Sequence, residues 1–264
     1  MPGKDVTYTI SARGKNERMP IVDFLQMHFS NIPLEQVDSV FGFLEASSLY
    51  SGRPFLKRQL SNQDLVAMKE RNIGLRIPFT NHFLSKQEYL DHEPFLEKYH
   101  VKGNSVICTN DQLAAWVKKD FPLYQVEASI LKEINSHEGI DRALDLYDTV
   151  ILPMNLNQNT AFLSSIRNKE RITLFGNAGC ALSCPARICY EYISKTNKKL
   201  ASQNILHRNI TFLFRMGFPL NWCSNRLHPR KLKGMVDFDL DQLYTLGFKR
   251  FKMLRGNSLR ETGH

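Results

Sequence analysis

Long apolar runs are scarce in this chain of 264 residues. The longest uncharged run, residues 149–166, is interrupted by Pro153, Asn155, Asn157, Gln158 and Asn159. Amides carried into hydrocarbon would find no water to bond, which excludes a spanning helix there. The opening MPGKDVTYTI holds no apolar stretch of the secretory kind. The expectation is a cytoplasmic protein with no membrane partner. Also missing are G-x-x-x-x-G-K-[ST], G-x-G-x-x-G and H-E-x-x-H, so P-loop, dinucleotide and helical zinc-protease chemistry find no support. Acidic residues are in deficit, 26 against 35 Lys and Arg, giving a net charge of +9. Between Arg226 and His264, nine basic residues stand against four acidic ones. Such an excess favours phosphate-bearing partners, nucleic acid among them, although a solvated surface tuned for solubility has the same composition. Cysteine is sparse and odd in number, with five residues. Without an export signal, that argues against a disulfide framework.

What is present is enough to form a core. Hydrophobic residues make up 42% of the chain, with 17 Phe and 9 Tyr, and a single domain over residues 1–264 is expected. Eight short runs read as strands covered on both faces: residues 7–12, 39–45, 74–80, 105–109, 124–130, 149–154, 171–177 and 249–255. Helical stretches lie between them. Residues 61–71 open on Ser61 with Asp64 three positions on, the pattern of a capping box. Further helices are expected over 111–119, 141–147, 159–167 and 239–246. Eight strands in strict alternation with helices predict an α/β fold, a TIM-like (β/α)8 barrel, with a doubly wound open sheet as the runner-up. Residues 196–236 interrupt the alternation between strands seven and eight. They read as an insertion over the barrel mouth, with an extra strand near 210–215.

In such a barrel, chemistry sits where strands end and the following loops begin. Glu127 is an ionisable side chain in an otherwise apolar strand. Turned inward, it would be pushed toward its neutral form unless an Arg or Lys pairs with it; turned outward, it would pair on the surface. Asn81, Asn155 and Asn177 stand at strand exits, and His82, next to Asn81, is kept as a candidate acid or base. Arg53 and Arg255 are candidates to hold an anionic group, with a surface ion pair as the alternative for each. Three of the five cysteines crowd into ten residues, Cys180, Cys184 and Cys189, in the loop FGNAGCALSCPARICY after the seventh strand. Residues four apart converge when a loop or helical turn brings them together, and Cys223 could reach back from the insertion. Thiolates of this kind suit zinc and an iron–sulfur cluster alike. The spacing is neither the paired C-x2-C of structural zinc nor C-x3-C-x2-C, and buried thiols acting as small hydrophobes are the alternative. Cys108, inside an apolar strand, reads as such a hydrophobe.

VFGFLEASSLYSGRPFL, IGLRIPFTN, the loop NAGC-x3-CPAR and LYTLGFKRFKMLRGN together resemble the collagenase-like peptidase family. The likeness runs from about Val37 to Asn257, with the N-x-G-C-x3-C-P-x-R loop as its specific part. The resemblance implies a TIM-like barrel of unassigned catalytic type. It also implies a branch of iron–sulfur proteins that hydroxylate RNA bases or ubiquinone precursors without oxygen, with four cysteines on a [4Fe–4S] cluster. By this resemblance Cys180 and Cys184 match the loop's cysteine pair and Cys223 offers a further ligand, whereas Cys189 and Cys108 match no family position. The leading expectation is an iron–sulfur barrel enzyme modifying a nucleic-acid or nucleotide-like substrate, with hydroxylation as its reaction. Cys180, Cys184, Cys189 and Cys223 would hold the cluster, or zinc in its place. Arg53, Arg187 and Arg255 would orient phosphates or a carboxylate, and Glu127, Asn81, Asn155 and Asn177 would surround the reacting group. A peptidase is the second expectation, and a zinc-stabilised module binding nucleic acid or protein the third. A partner subunit or a second copy completing the site is left open.

Overall fold

Alternate residues of the strand-forming runs go to two different places, which is why these runs are apolar without being uniform. In the computed structural model, which describes residues 3, 5–179, 182, 189–201 and 235–255, eight parallel strands close into a barrel. They are β1 (Thr7–Ser11), β2 (Val37–Phe41), β3 (Gly74–Ile77), β4 (Ser105–Cys108), β5 (Gln125–Ala128), β6 (Thr149–Ile151), β7 (Ile172–Phe175) and β10 (Arg250–Met253). The last of these closes the ring by pairing with both β7 and β1. Ring closure decides between the two architectures the sequence allowed, because an open doubly wound sheet has two free edges. A short antiparallel ribbon, β8 (Asn177–Ala178) with β9 (Val236–Asp237), follows β7.

One set of strand residues, including Ile10, Val40, Leu75, Val106, Val126, Val150, Leu174 and Phe251, is buried in the larger apolar cluster. That cluster also takes in residues of the surrounding helices: α1 (Ile21–His28), α2 (Asn62–Lys69), α4 (Glu93–Lys98), α5 (Asp111–Asp120), α6 (His137–Leu146), α7 (Thr160–Ser165) and α9 (Leu240–Thr245), together with Tyr89 of α3 (Lys86–Asp91). The remaining helix, α8 (Cys189–Ala201), follows the β8 segment.

The alternate set is largely polar. Thr9 and Ser39 share a hydrogen bond of 3.1 Å. Arg76 Nη1 of β3 stands 2.9 Å from Glu127 Oε2 of β5. Ser105 of β4, the strand between them, donates to Glu127 Oε1 at 2.6 Å. Ile107, Ile151 and Phe175 form a separate small apolar cluster, with Phe41 packed against it.

All eight expected strand runs are strands of the barrel, with shifted ends. The run 39–45 is strand only to Phe41, because Phe43 turns its backbone away from the ladder: its carbonyl accepts from Gln59 and Leu60 and its N–H donates to Gln59 Oε1. The capping box on α2 is present, with Ser61 and Asp64 each bonding the other's backbone. Asp64 does more than cap. It also receives Ile21 N–H at 2.8 Å and forms a buried 2.7 Å ion pair with Lys15, tying α2 to the loop after β1. Most of the expected insertion 196–236, and its strand near 210–215, lies outside the described residues. Its described ends are the last turn of α8 and the ribbon strand β9. No helix among the described residues is long and apolar enough to cross a membrane.

Candidate functional site

At the C-terminal ends of the barrel strands the structure opens into a cavity of about 140 Å³. Its wall is mostly apolar, with Phe41, Phe43, Ile107, Met154 and Phe175 among the lining side chains. Arg13, Arg53 and Lys252 line it as well, and no carboxylate does so among its described lining residues. An apolar chamber with a few convergent cationic groups is the form of a site for a small anionic ligand with a flat or greasy body.

Each cation is set by different surroundings. Arg53 comes from the long loop after β2. Its Nη2 donates to Gln59 Oε1 at 2.6 Å, and its guanidinium lies 4.7 Å from the centroid of the Phe43 ring. Desolvation and then the like charge of Arg13 lower its proton affinity, to about 9, so it stays charged at neutral pH. The loop is held from outside by α8. Asn197 of that helix donates to the carbonyls of Tyr50 and Arg53 and accepts from Phe55 N–H. Lys252 comes from β10 and is 6% exposed. Its Nζ lies 4.1 Å from the Phe41 ring centroid and 5.7 Å from that of Phe175. Burial pushes its proton affinity down, to about 7, against the opposing pull of Glu127, with Arg76 and Arg53 pushing further down.

A chain of hydroxyls runs from the wall. Ser51 lines the cavity. Ser194 Oγ of α8 donates to Ser51 Oγ at 2.8 Å and lies 3.0 Å from His82 Nδ1. Burial lowers the pKa of His82, with Glu191 pulling the other way, so its ring is neutral and able to accept a proton at neutral pH.

Of the residues singled out in the sequence, the structure brings Arg53 to the cavity and places His82 one hydroxyl behind it. Arg255 lies behind Arg13, with Nη1 3.5 Å from the Arg13 carbonyl and its guanidinium near Phe24. Glu127 points into the barrel and is fully buried, held by Arg76 and Ser105. Asn81 gives its amide to the carbonyls of Ser48, Tyr50 and Ser194. Asn177 clasps Leu254 with two 2.8 Å bonds to its backbone. Asn155 is exposed on the turn after β6. None of these four lines the cavity. Cys180, Cys184, Cys223 and Arg187 lie outside the described residues. Cys189 is buried at the first turn of α8, and Cys108 is fully buried in the core. Burial raises the pKa of the Cys108 thiol far above the ordinary range, so it stays protonated.

The sequence reading passed over Lys252 and Arg76. The signal for Lys252 was present, since a lysine at the inward position of the last strand, two residues before Leu254, is as anomalous as Glu127 in the fifth.

No protein-family profile matches the sequence, and no curated protein matches it. Among solved structures, the chain is similar to the U32 peptidase Mk0906, with a TM-score of 0.65 and 13% sequence identity, over 98% of this chain and 96% of that one. A likeness at that identity establishes a shared barrel fold over nearly the whole length of both chains.

Proposed function

We propose that the chain is a barrel enzyme that takes an anionic, planar substrate of the nucleotide-like class into the mouth cavity and modifies it, with hydroxylation as the reaction. The observation that carries this reading is the cavity itself, an aromatic and aliphatic chamber with Arg13 and Arg53 on its wall and no opposing carboxylate among the described lining residues. The two guanidinium groups bind a phosphate or carboxylate in the fork geometry that suits it. Phe41, Phe43 and Phe175 flank a flat ring and exclude water from it. Gln59 and Asn197 hold Arg53 and its loop in place before substrate arrives.

The expected cofactor is supported by the donor chemistry of the four cysteines. Cys180, Cys184, Cys189 and Cys223 supply only thiolates, and Gly179 and Tyr190, the described residues near both ends of the cysteine loop, line the cavity. A [4Fe–4S] cluster held there would supply one-electron redox chemistry, the kind a hydroxylation without oxygen needs.

Titration calorimetry with uridine 5′-monophosphate and with uridine tests the binding step. Charge-assisted hydrogen bonds contribute about 1.5–3 kcal/mol, so the monophosphate should bind roughly tenfold tighter or better, and Arg53→Met should erase the difference. Equal affinity for both compounds would remove the support for a nucleotide-like substrate.

A peptidase is the second reading, supported by the Ser51–Ser194–His82 chain. Ser51 donates to the Tyr190 carbonyl and receives the Ser194 hydroxyl, so base-assisted attack by Ser51 would require both hydroxyls to turn and pass the proton through Ser194 to the His82 ring. The fluorophosphonate labelling of Ser51, together with digestion of casein and denatured collagen, decides it. No label and no cleavage would end that reading.

A further inference from the structure

A lysine with nothing to bond is unusual inside a protein. A buried ammonium is normally paired or hydrogen-bonded, because losing its water costs several kcal/mol. Lys15 of this chain shows the ordinary solution, with Asp64 and two carbonyls around its Nζ. Lys252 has no such set. Among the described residues its Nζ makes no hydrogen bond and no ion pair within 4.0 Å, and its close neighbours are the Phe41 and Phe175 rings. The carboxylate that would pair with it, Glu127, is engaged by Arg76 and Ser105 instead. The charged groups facing it from the surrounding elements are Glu127 on β5, Arg76 on β3 and Arg53 on the loop after β2. Two of those three are cations, which also disfavour an ammonium.

We infer that Lys252 is a nucleophilic amine that forms an imine with a small carbonyl compound, an aldehyde or 2-oxo acid carrying an anionic group for Arg53 and Arg13. Three placements carry this. The amine sits at the C-terminal end of a barrel strand, it lines the cavity that opens there, and its approach is bounded by rings that keep water out. Its lone pair attacks the carbonyl carbon and the C=O π bond opens to give a carbinolamine. Loss of the former carbonyl oxygen as water, with both amine protons, leaves the neutral imine; uptake of one proton from solvent gives the iminium. No oxidant or reductant is needed. The inference shares the cavity with the proposed function but uses none of the cysteines.

The test is reductive trapping on the intact chain. The protein is incubated near neutral pH with 4-formylbenzoate and cyanoborohydride, and the adduct is located by peptide mass spectrometry. Exposed lysines are almost wholly protonated there, whereas Lys252 titrates at about 7. It should therefore carry at least about tenfold more label than any exposed lysine, and the labelling rate should rise through neutral pH and then level off. Benzaldehyde, which lacks the carboxylate, should label it less, and Arg53→Met should remove that preference. Equal labelling of Lys252 by both aldehydes would still support the imine while counting against the anion site. Label spread over the exposed lysines, with Lys252 at or below their level, would overturn the inference. The wild-type chain alone gives that reading, whether or not Lys252→Met folds.

Discussion

Two buried cations in this barrel show how partnership decides what a charge does. Arg76 and Lys252 both turn inward. Arg76 is matched by Glu127 at 2.9 Å and by Asp38 at 3.2 Å, so its desolvation is offset by near neighbours. Lys252 has aromatic faces instead, and a cation over a ring recovers only about 0.5–2 kcal/mol. The consequence is a stability that depends on pH with a definite sign. Folding lowers the proton affinity of Lys252 from 10.5 to about 7. Between those values the unfolded chain binds more protons, so stability rises with pH across the window, and the whole cost is present below it. Lys252→Met removes that cost. The variant should be more stable than the parent by roughly 1–4 kcal/mol near pH 6, and the gain should shrink toward nothing as pH approaches 10.5. Urea unfolding at several pH values measures it; a gain flat with pH would mean that the amine binds its proton equally in the folded and unfolded chain, so that burial does not lower its proton affinity. The reading of Glu127 from sequence offered two outcomes, and the structure takes the inward one with an arginine partner. Which arginine could not be read, because Arg76 lies 51 positions away and reaches Glu127 across β4.

At the level of elements, α8 matters to the site more than its sequence suggests. Ser194 and Asn197 are fully buried polar residues on it, and their partners include backbone groups and a hydroxyl of the loop that carries Ser51 and Arg53, with Asn81 and His82 also bonded to Ser194. Nothing local in CYEYISKTNKKLA marks those two as anchors, since each contact spans well over a hundred residues. By contrast, α3 was legible and passed over: Ser85 and Glu88 form a capping box of the same kind as Ser61 and Asp64. The start of α1 has no side-chain cap and follows Pro20, so the signal there was weak. Asn197→Ala tests the anchoring role. It strands the Phe55 N–H and the Arg53 carbonyl, and leaves the Tyr50 carbonyl to Asn81 alone, which should cost about 1–3 kcal/mol of stability. If the helix holds Arg53 in place, affinity for uridine 5′-monophosphate should also fall, by roughly tenfold. A lower Tm with unchanged affinity would show that the loop keeps its shape without the helix.

For the whole molecule, the barrel was legible because each strand is buried on both faces and eight such runs alternate with helices. Polarity inside the ring was not, because alternation within four-residue strands shows which residues share a face but not which face is inside. The same geometry separates the fold from the expected metal. All eight ladders of the ring, including the closing pairs β1–β10 and β10–β7, are made by described residues outside the cysteine loop. In a small zinc domain the metal is the core, and removing it unfolds the chain. Here the core is already complete between strands and helices, so a cluster at the mouth would be an attachment to a finished barrel. Purified without oxygen, the chain should contain iron and sulfide, and Cys180→Ser with Cys184→Ser should lose both. Chelation under the same conditions should leave the far-ultraviolet circular dichroism unchanged and shift Tm only slightly. Loss of secondary structure on chelation would mean that the barrel depends on the metal after all, and would favour the zinc-stabilised module over the enzyme.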